Sequence, residues 1–273
     1  MKGADGMGEK IRVERVTKTF TVRDTKQKGA PKQFTAIRNL EFSVNEGEFL
    51  TIVGPSGCGK STLLDLLGGL STPTQGRILI DGQEIKGPGL DRGTVFQQYA
   101  LFPWKTARGN IEFGLEAKGI PRREWREQSD YYLELVGLKN FADRYPHELS
   151  GGMKQRVAIA RSLAFNPDVL LMDEPFAALD AQTRETLQSE LLRIWEKTKK
   201  TIIFITHGID EAVYLGQRVV ILSANPGRVK HIVDIPLTHR LADADIRSNP
   251  AFIKARSEVW NLLHVDEYAG QYI

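Results

Sequence analysis

The hydrophobic residues of the chain form short continuous runs, which are separated by longer segments with helical spacing. Five runs predict strands, because each is short and almost entirely apolar, and all but Ile78–Ile80, which enters a turn, are expected to be buried. They are Phe49–Val53, Ile78–Ile80, Val169–Met172, Ile202–Ile205 and Val219–Leu222. Apolar positions at 63, 64, 66, 67 and 70, and again at 187, 191, 194 and 195, predict helices with buried faces. This alternation predicts an α/β fold with a mainly parallel sheet that is covered on both sides.

The middle of the chain has a different pattern. Residues 108–163 contain no convincing strand, and their helical spacing is interrupted at Gly119–Pro121, Gly137 and Pro146. These breaks predict a helical subdomain, over about residues 100–165, inserted into the α/β domain.

The two ends of the chain are expected to lie outside this domain. We predict a flexible N-terminus over residues 1–10, a folded domain over 11–240 and a C-terminal tail over 241–273. The basic segment 18–32 is expected to be an exposed loop or hairpin, which is either simply solvated or contacts lipid headgroups or a partner. In the tail, Phe252, Val259, Leu262 and Leu263 predict an amphipathic helix.

Composition narrows the possible classes of protein. The chain has 37 lysine and arginine residues and 34 aspartate and glutamate residues. The resulting net charge of +3 is too small to indicate nucleic-acid binding. The single cysteine excludes an internal disulfide bond and a four-thiolate metal site. The apolar runs are far shorter than the ~18 residues of a membrane-spanning helix, and the first residues lack the apolar core of a signal peptide. We therefore expect a cytosolic chain that meets a membrane only through a partner.

A glycine-rich loop follows the first of these strands. Residues 54–61 fit the pattern G-x-x-x-x-G-K-[ST] and precede a predicted helix, which is the context that a phosphate-binding loop requires. Backbone N–H groups and the helix N-terminus would bind phosphate oxygens, with Lys60 near the β- and γ-phosphates and Ser61 as a ligand of Mg²⁺. The predicted nucleotide-binding residues are Gly54, Pro55, Ser56, Gly57, Cys58, Gly59, Lys60, Ser61 and Thr62. The alternative is a plain glycine-rich turn with a surface lysine.

Cys58 lies inside this loop and leaves two alternatives open. We predict that thiol reagents block activity and that bound nucleotide protects; the alternative is an inert small residue with a buried thiol.

Two acids end the strand at Val169–Met172. Asp173 is predicted to hold Mg²⁺, because ligands of open α/β sheets bind at the carboxyl ends of the strands. Glu174 is predicted to act as the general base on water. The alternative is that both acids only cap the loop before Pro175. Together with the phosphate-binding loop, they predict a P-loop NTPase.

The segment Leu149-Ser-Gly-Gly-Met-Lys-Gln155 resembles the LSGGQ signature of the ATP-binding cassette (ABC) family. Ser150 is a good helix N-cap, the glycines allow close backbone approach, and Met153 departs from the usual glutamine. The resemblance implies an ATPase that uses ATP and Mg²⁺, with residues 11–240 as the ABC ATPase domain and an antiparallel N-terminal β subdomain. It also implies that Ser150, Gly151 and Gly152 contact the γ-phosphate bound by a second cassette, which we expect to be an identical copy.

Other residues match the family's motifs individually. The resemblance implies that Gln97 contacts Mg²⁺ and the attacking water, that Asp180 lies at the dimer interface and binds nucleotide there, and that His207 contacts the γ-phosphate. Lys60, Gln97, Glu174 and His207 are thus the implied catalytic residues, and Ser61, Gln97 and Asp173 the metal ligands. Phe20 resembles the aromatic residue that stacks on adenine, and Phe34 is the competing candidate.

The kind of cassette is narrowed by what the chain lacks. Fused exporters carry membrane helices, repair ATPases carry a long coiled coil, and ribosome-associated members carry two cassettes. The chain most resembles the ATPase subunits of bacterial nitrate, sulfonate and taurine importers. This implies two membrane permease subunits that bind near Tyr99–Trp104, an indirect periplasmic or lipid-anchored solute-binding protein, and a peripheral position on the cytoplasmic face of the inner membrane. The alternative is a soluble non-transport ABC ATPase that acts as a mechanical switch on a protein or nucleic acid.

Overall fold

The computed structural model describes residues 8–22, 32–238, 240–241 and 245–269, which form two compact units. Unit 1 contains the described residues up to Pro88 and from Ile205 onward, and unit 2 contains Gly89–Phe204. Among the described residues, no helix combines the length and hydropathy that crossing a membrane would need. Most of the basic loop, residues 23–31, lies outside the described residues.

The elements alternate along the chain much as the hydrophobic pattern predicts. In unit 1 the first elements are β1 (Glu9–Val22), β2 (Lys32–Asn45), β3 (Phe49–Val53), α1 (Lys60–Leu67), β4 (Gln75–Ile80) and β5 (Gln83–Glu84). Unit 2 contains β6 (Arg92–Val95), α2 (Ala107–Ala117), α3 (Trp125–Leu135), α4 (Gly151–Ala164), β7 (Val169–Asp173) and α5 (Ala181–Thr198), and it ends at Phe204, one residue before the end of β8 (Thr201–Ile205). Unit 1 resumes with α6 (Ile209–Leu215), β9 (Arg218–Ser223), β10 (Arg228–Asp234) and α7 (Pro250–Ala269).

Unit 1 contains an antiparallel sheet in the order β2-β1-β4-β5, which confirms the N-terminal β subdomain. A second group of strands in this unit has the order β10-β9-β3, where β9 is parallel to β3 and antiparallel to β10. All five residues of β3 are buried, as expected for a strand that is covered on both faces.

In unit 2 the strand order is β8-β7-β6, and β6 is parallel to β7. The predicted strands at Val169–Met172 and Ile202–Ile205 are confirmed, and both are buried. The described residues between β6 and β7 contain helices and no strand, so the predicted helical subdomain is confirmed. Its helix α2 begins after Thr106, whose hydroxyl accepts a hydrogen bond from Gly109 N at 3.1 Å.

Four details differ from the sequence prediction. Strand β1 begins inside the segment predicted to be flexible, and Lys10 is buried and ion-paired with Asp81 at 2.7 Å. The predicted domain over 11–240 divides into two compact units. The predicted tail is not separate, because α7 packs on α6 and β9 and buries Phe252 and Val259. Leu70 lies beyond the end of α1 and is 59% exposed, since Gly68 ends that helix.

Candidate functional site

In unit 1, the glycine-rich loop connects the buried end of β3 to the start of α1. Gly57 and Gly59 adopt left-handed conformations, with φ of 77° and 89°, which side chains disfavour. At Gly54 an added Cβ would lie 2.7 Å from Cys58 Sγ and 3.0 Å from Leu222 O, so only glycine fits. These three positions allow the tight backbone curl that a phosphate-binding loop requires.

The start of α1 offers hydrogen-bond donors to an anion. Its N-cap, Gly59, provides no side-chain cap, and the first turn contains no acidic residue. The N–H groups of a first helical turn lack partners inside the helix and carry partial positive charge. Ser61 is exposed in this turn and Thr62 is half-buried, so hydroxyl oxygens lie beside the same donors. This start suits a phosphate group.

Lys60 folds back over the loop. Its ammonium donates to Gly54 O at 2.7 Å and to Pro55 O at 3.2 Å. The charge is therefore already held at the loop, where it can exchange a carbonyl partner for a phosphate oxygen.

Cys58 is fully buried in the loop, with Sγ 3.9 Å from Lys60 Nζ. Burial raises the pKa of this thiol, and the nearby Lys60 lowers it by less. A buried thiol with a raised pKa forms little thiolate and is poorly accessible, so the structure favours the inert alternative.

We predict that Cys58 in the native protein reacts with a maleimide at least about tenfold more slowly than in guanidinium chloride, because reactivity follows thiolate content and access. Mass spectrometry of the intact chain over time measures the labelling. Equal rates in the native and denatured protein would contradict the buried placement.

His207 follows β8 and lies beside the strand that leads into the loop. Thr206 N donates to Ile52 O, in β3, at 3.1 Å, and the next residue, His207, is exposed. Unit 1 thus places His207 next to the carboxyl end of β3. A role at the γ-phosphate remains a prediction.

Unit 2 brings three other predicted residues to one sheet edge. Val95 pairs with Met172 in the parallel β6–β7 ladder, so Gln97 and the pair Asp173 and Glu174 leave the sheet together. Glu174 has a left-handed backbone, with φ of 43°, an uncommon conformation for a residue other than glycine. These three side chains offer oxygen atoms from carboxylate and amide groups, which is the chemistry that Mg²⁺ prefers.

The signature segment forms the start of α4. Ser150 caps the helix by accepting a hydrogen bond from Met153 N at 3.3 Å, as predicted from the sequence. A Cβ added to Gly152 would lie 2.8 Å from Thr183 Cγ2, and one added to Gly151 would lie 3.1 Å from the Tyr99 hydroxyl. Glycines therefore let α4 approach its neighbours closely, while Ser150 itself stays exposed.

Asp180 has a local structural role that the sequence prediction missed. Its carboxylate accepts a hydrogen bond from Thr183 N at 2.9 Å and caps α5. This bonding lowers the pKa of the carboxyl group. A role at a dimer interface or in nucleotide binding remains a prediction.

The two candidates for adenine stacking face each other. Phe20 in β1 is the register partner of Phe34 in β2, and both rings are exposed. The ammonium of Lys18 lies 5.1 Å from the centre of the Phe20 ring. Stacking on adenine stays a prediction for either ring.

The segment Tyr99–Trp104, the aromatic loop, exposes large apolar groups as predicted. Trp104 is 70% exposed and its ring lies 5.6 Å from that of Phe102. Phe102 also packs edge-on against Phe113, which is itself exposed, at 4.7 Å. These three rings form one aromatic surface, on which Trp104 and Phe113 are exposed and Phe102 is half-buried.

Two residues that the sequence prediction missed hold this loop in place. Asn110 is fully buried; its amide accepts from Phe102 N at 2.8 Å and donates to the carbonyls of Phe102, Lys105 and Thr106. Arg161 in α4 donates to Ala100 O at 2.6 Å and to Tyr99 O at 3.2 Å. The aromatic loop is therefore fixed to the helix that begins at Ser150.

Comparison with known proteins agrees with this geometry. Residues 37–177, just over half of the chain, match the family model described as ABC transporter. An uncharacterized ABC transporter ATP-binding protein of Methanocaldococcus jannaschii is 53% identical over 263 residues, which cover 96% of this chain and 94% of that protein. A nitrate import ATP-binding protein of Synechocystis is 51% identical over 84% of this chain and 88% of its own length. A taurine import ATP-binding protein of Rhizobium johnstonii is 47% identical over 85% of this chain and 90% of its own length.

Among solved structures, the dimeric post-hydrolysis state of an ATP-binding cassette bound to ADP and Pi is 35% identical. It has a TM-score of 0.69 and covers 84% of this chain and all of its own. The chain belongs to the ABC transporter family. It has the α/β P-loop fold of an ATP-binding cassette, and it is an ATPase.

Proposed function

We propose that this cassette is the ATP-hydrolysing subunit of an importer for a small solute, and that it works as a dimer with a second copy. The aromatic loop carries the importer part of the proposal, since a rigidly held exposed aromatic surface suits an apolar protein partner. Relatives named as nitrate and taurine import proteins support it. The alternative of a non-transport switch has no comparable support.

The phosphates of ATP would bind at the loop of residues 54–62. The N–H groups at the start of α1 and the Lys60 ammonium would meet the β- and γ-phosphate oxygens. Ser61, Gln97 and Asp173 are the proposed ligands of Mg²⁺. When bound, this ion would neutralise charge on the phosphate oxygens.

Hydrolysis would use Glu174 as the base. The carboxylate accepts a proton from water while the water oxygen bonds to the γ-phosphorus and the bond to the bridging oxygen of ADP breaks. ADP and phosphate leave as products. Lys60 and His207 would donate hydrogen bonds to the oxygens that gain charge in the transition state.

A second copy would complete each site. The exposed Ser150, with Gly151 and Gly152, lies at the N-terminal end of α4, where the helix dipole and the first N–H groups suit an anion brought by another molecule. We propose that this end meets the γ-phosphate held by the second copy, with Asp180 near the interface. The dimeric state in the names of related solved cassettes supports this proposal. Either Phe20 or Phe34 would stack on adenine.

ATP binding would be transmitted to the partner through α4. This helix has Ser150 as its N-cap and holds the aromatic loop by the hydrogen bonds of Arg161. Closure of the dimer on ATP would therefore shift the surface of Phe102 and Trp104, and with it a membrane permease subunit bound there. The chain would then lie peripherally on the cytoplasmic face of the membrane, with an extracytoplasmic solute-binding protein as an indirect partner.

We expect Trp104→Ala to weaken attachment to the permease by about tenfold, which is typical for removal of an exposed aromatic anchor. Stripped inside-out membrane vesicles from cells that express the transporter are titrated with the purified chain, and bound protein is measured. Phe141→Ala removes an exposed aromatic ring that lies outside the aromatic loop, and it should bind as the wild type does. Equal binding by both variants would contradict the proposed docking site.

The transported solute is a separate part of the proposal. The relatives point to a small anion or zwitterion such as nitrate or taurine. Uptake of labelled nitrate and of labelled taurine, in cells with and without the chain, distinguishes the two. No loss of either uptake would contradict this solute class.

A further inference from the structure

The C-terminal segment, meaning the described residues from Arg240 to His264, contacts both ends of α6. At the end of α6, the buried guanidinium of Arg240 donates to Leu215 O at 2.6 Å and to Gly216 O at 2.7 Å. These bonds satisfy carbonyls that a helix end leaves without intrahelical partners.

The beginning of α6 is held by a second arginine. Arg256 in α7 forms an ion pair with Asp210, in the first turn of α6, at 2.7 Å. Between the two ends, the Arg247 guanidinium lies 5.2 Å from the centre of the Tyr214 ring. Three arginines of one segment thus contact one helix.

Helix α6 in turn holds the backbone around His207. Gly208 N donates to Thr206 Oγ1 at 2.9 Å, and the Thr206 hydroxyl donates to the carboxylate of Glu211 in α6. Ala212 N donates to Gly208 O at 3.0 Å. His207 lies between two residues that are both bonded to the first turn of α6.

We propose that Arg240 and Arg256 are positioning residues for His207, and that the C-terminal segment braces α6 so that His207 reaches the γ-phosphate in the transition state. This inference rests on the proposed role of His207. A helix of seven residues has little stability of its own, so its position depends on what packs against it. Loss of these arginine contacts would therefore lower the rate of ATP hydrolysis more than the affinity for ATP, because the glycine-rich loop provides the binding.

The Arg256–Asp210 pair allows a clean test, because both side chains are more than half exposed. Such a pair contributes little to global stability, so Arg256→Ala should fold and unfold like the wild type. We expect it to lower kcat for ATP hydrolysis about three- to fivefold, the size of effect that an exposed ion pair can give, and to leave KM for ATP unchanged. Arg256→Lys should restore most of kcat. Lys254→Ala, which removes another exposed cation of α7, is the matched control and should retain wild-type kcat.

A double-variant experiment separates positioning from other effects. The residual rate of phosphate release by His207→Ala is compared with that of the His207→Ala, Arg256→Ala double variant. We expect equal rates, because Arg256 affects hydrolysis only by positioning His207. A wild-type kcat in Arg256→Ala would overturn the inference. So would an Arg256→Ala change that lowers the rate of phosphate release by the same factor in the wild type and in the His207→Ala variant. A wild-type kcat in His207→Ala alone would instead contradict the proposed function of His207.

Discussion

Glu174→Gln is expected to lower kcat for ATP hydrolysis by about two to four orders of magnitude, the usual contribution of a general base. Glutamine keeps the size and the hydrogen-bonding oxygen of the side chain but cannot accept the proton of the attacking water. ATP binding should remain, because the glycine-rich loop and Lys60 are untouched. The variant should therefore accumulate as an ATP-bound dimer.

Phosphate release measures the rate in this variant, and calorimetry with Mg²⁺ and ATP measures its affinity. Glu127→Gln, an exposed acid in the first turn of α3, is the matched control and should hydrolyse ATP at the wild-type rate. Wild-type turnover by Glu174→Gln would assign the base to another group.

Lys60→Ala is expected to weaken ATP binding by about 10- to 100-fold, because a hydrogen bond to a charged group contributes about 1.5–3 kcal/mol. The variant removes the only side-chain cation of residues 54–62, where it already lies against Gly54 O and Pro55 O. Hydrolysis should fall further, since Lys60 also faces the charge that develops in the transition state.

Calorimetric titration with ATP tests this prediction, and thermal unfolding checks that the loop still folds without the lysine. Lys118→Ala removes an exposed lysine after α2 and should bind ATP with wild-type affinity. Unchanged affinity in Lys60→Ala would contradict the assignment of residues 54–62 as the phosphate-binding loop.

Much of the fold was predictable, because its signals are local. Continuous apolar runs such as Val169–Met172 predict strands that are buried on both faces, and the structure buries them. The N-cap at Ser150 was also predictable, since a serine before two glycines and an apolar helix is a local pattern. The curl at Gly57 and Gly59 follows from the loop motif in the same way.

Other elements carry no such local signal. Strands β6 and β10 were missed, because β6 contains Arg92 and Gly93 and because β10 is a half-exposed strand with mixed polarity. Asn110 and Arg161 look like ordinary polar residues in helices. Their roles depend on carbonyl groups of the aromatic loop that only the tertiary structure brings near. Packing of α7 on α6 likewise depends on contacts between distant parts of the chain.

The central claim is that each hydrolytic site uses the phosphate-binding loop of one copy and Ser150 of another. Mixing the Lys60→Ala and Ser150→Arg variants tests it directly, because a mixed dimer contains one site in which neither residue is changed. If copies exchange freely, we predict that the equal mixture recovers about one quarter of the wild-type rate of phosphate release, whereas each variant alone is inactive. A mixture as inactive as its components, despite measured exchange of copies, would contradict the claim.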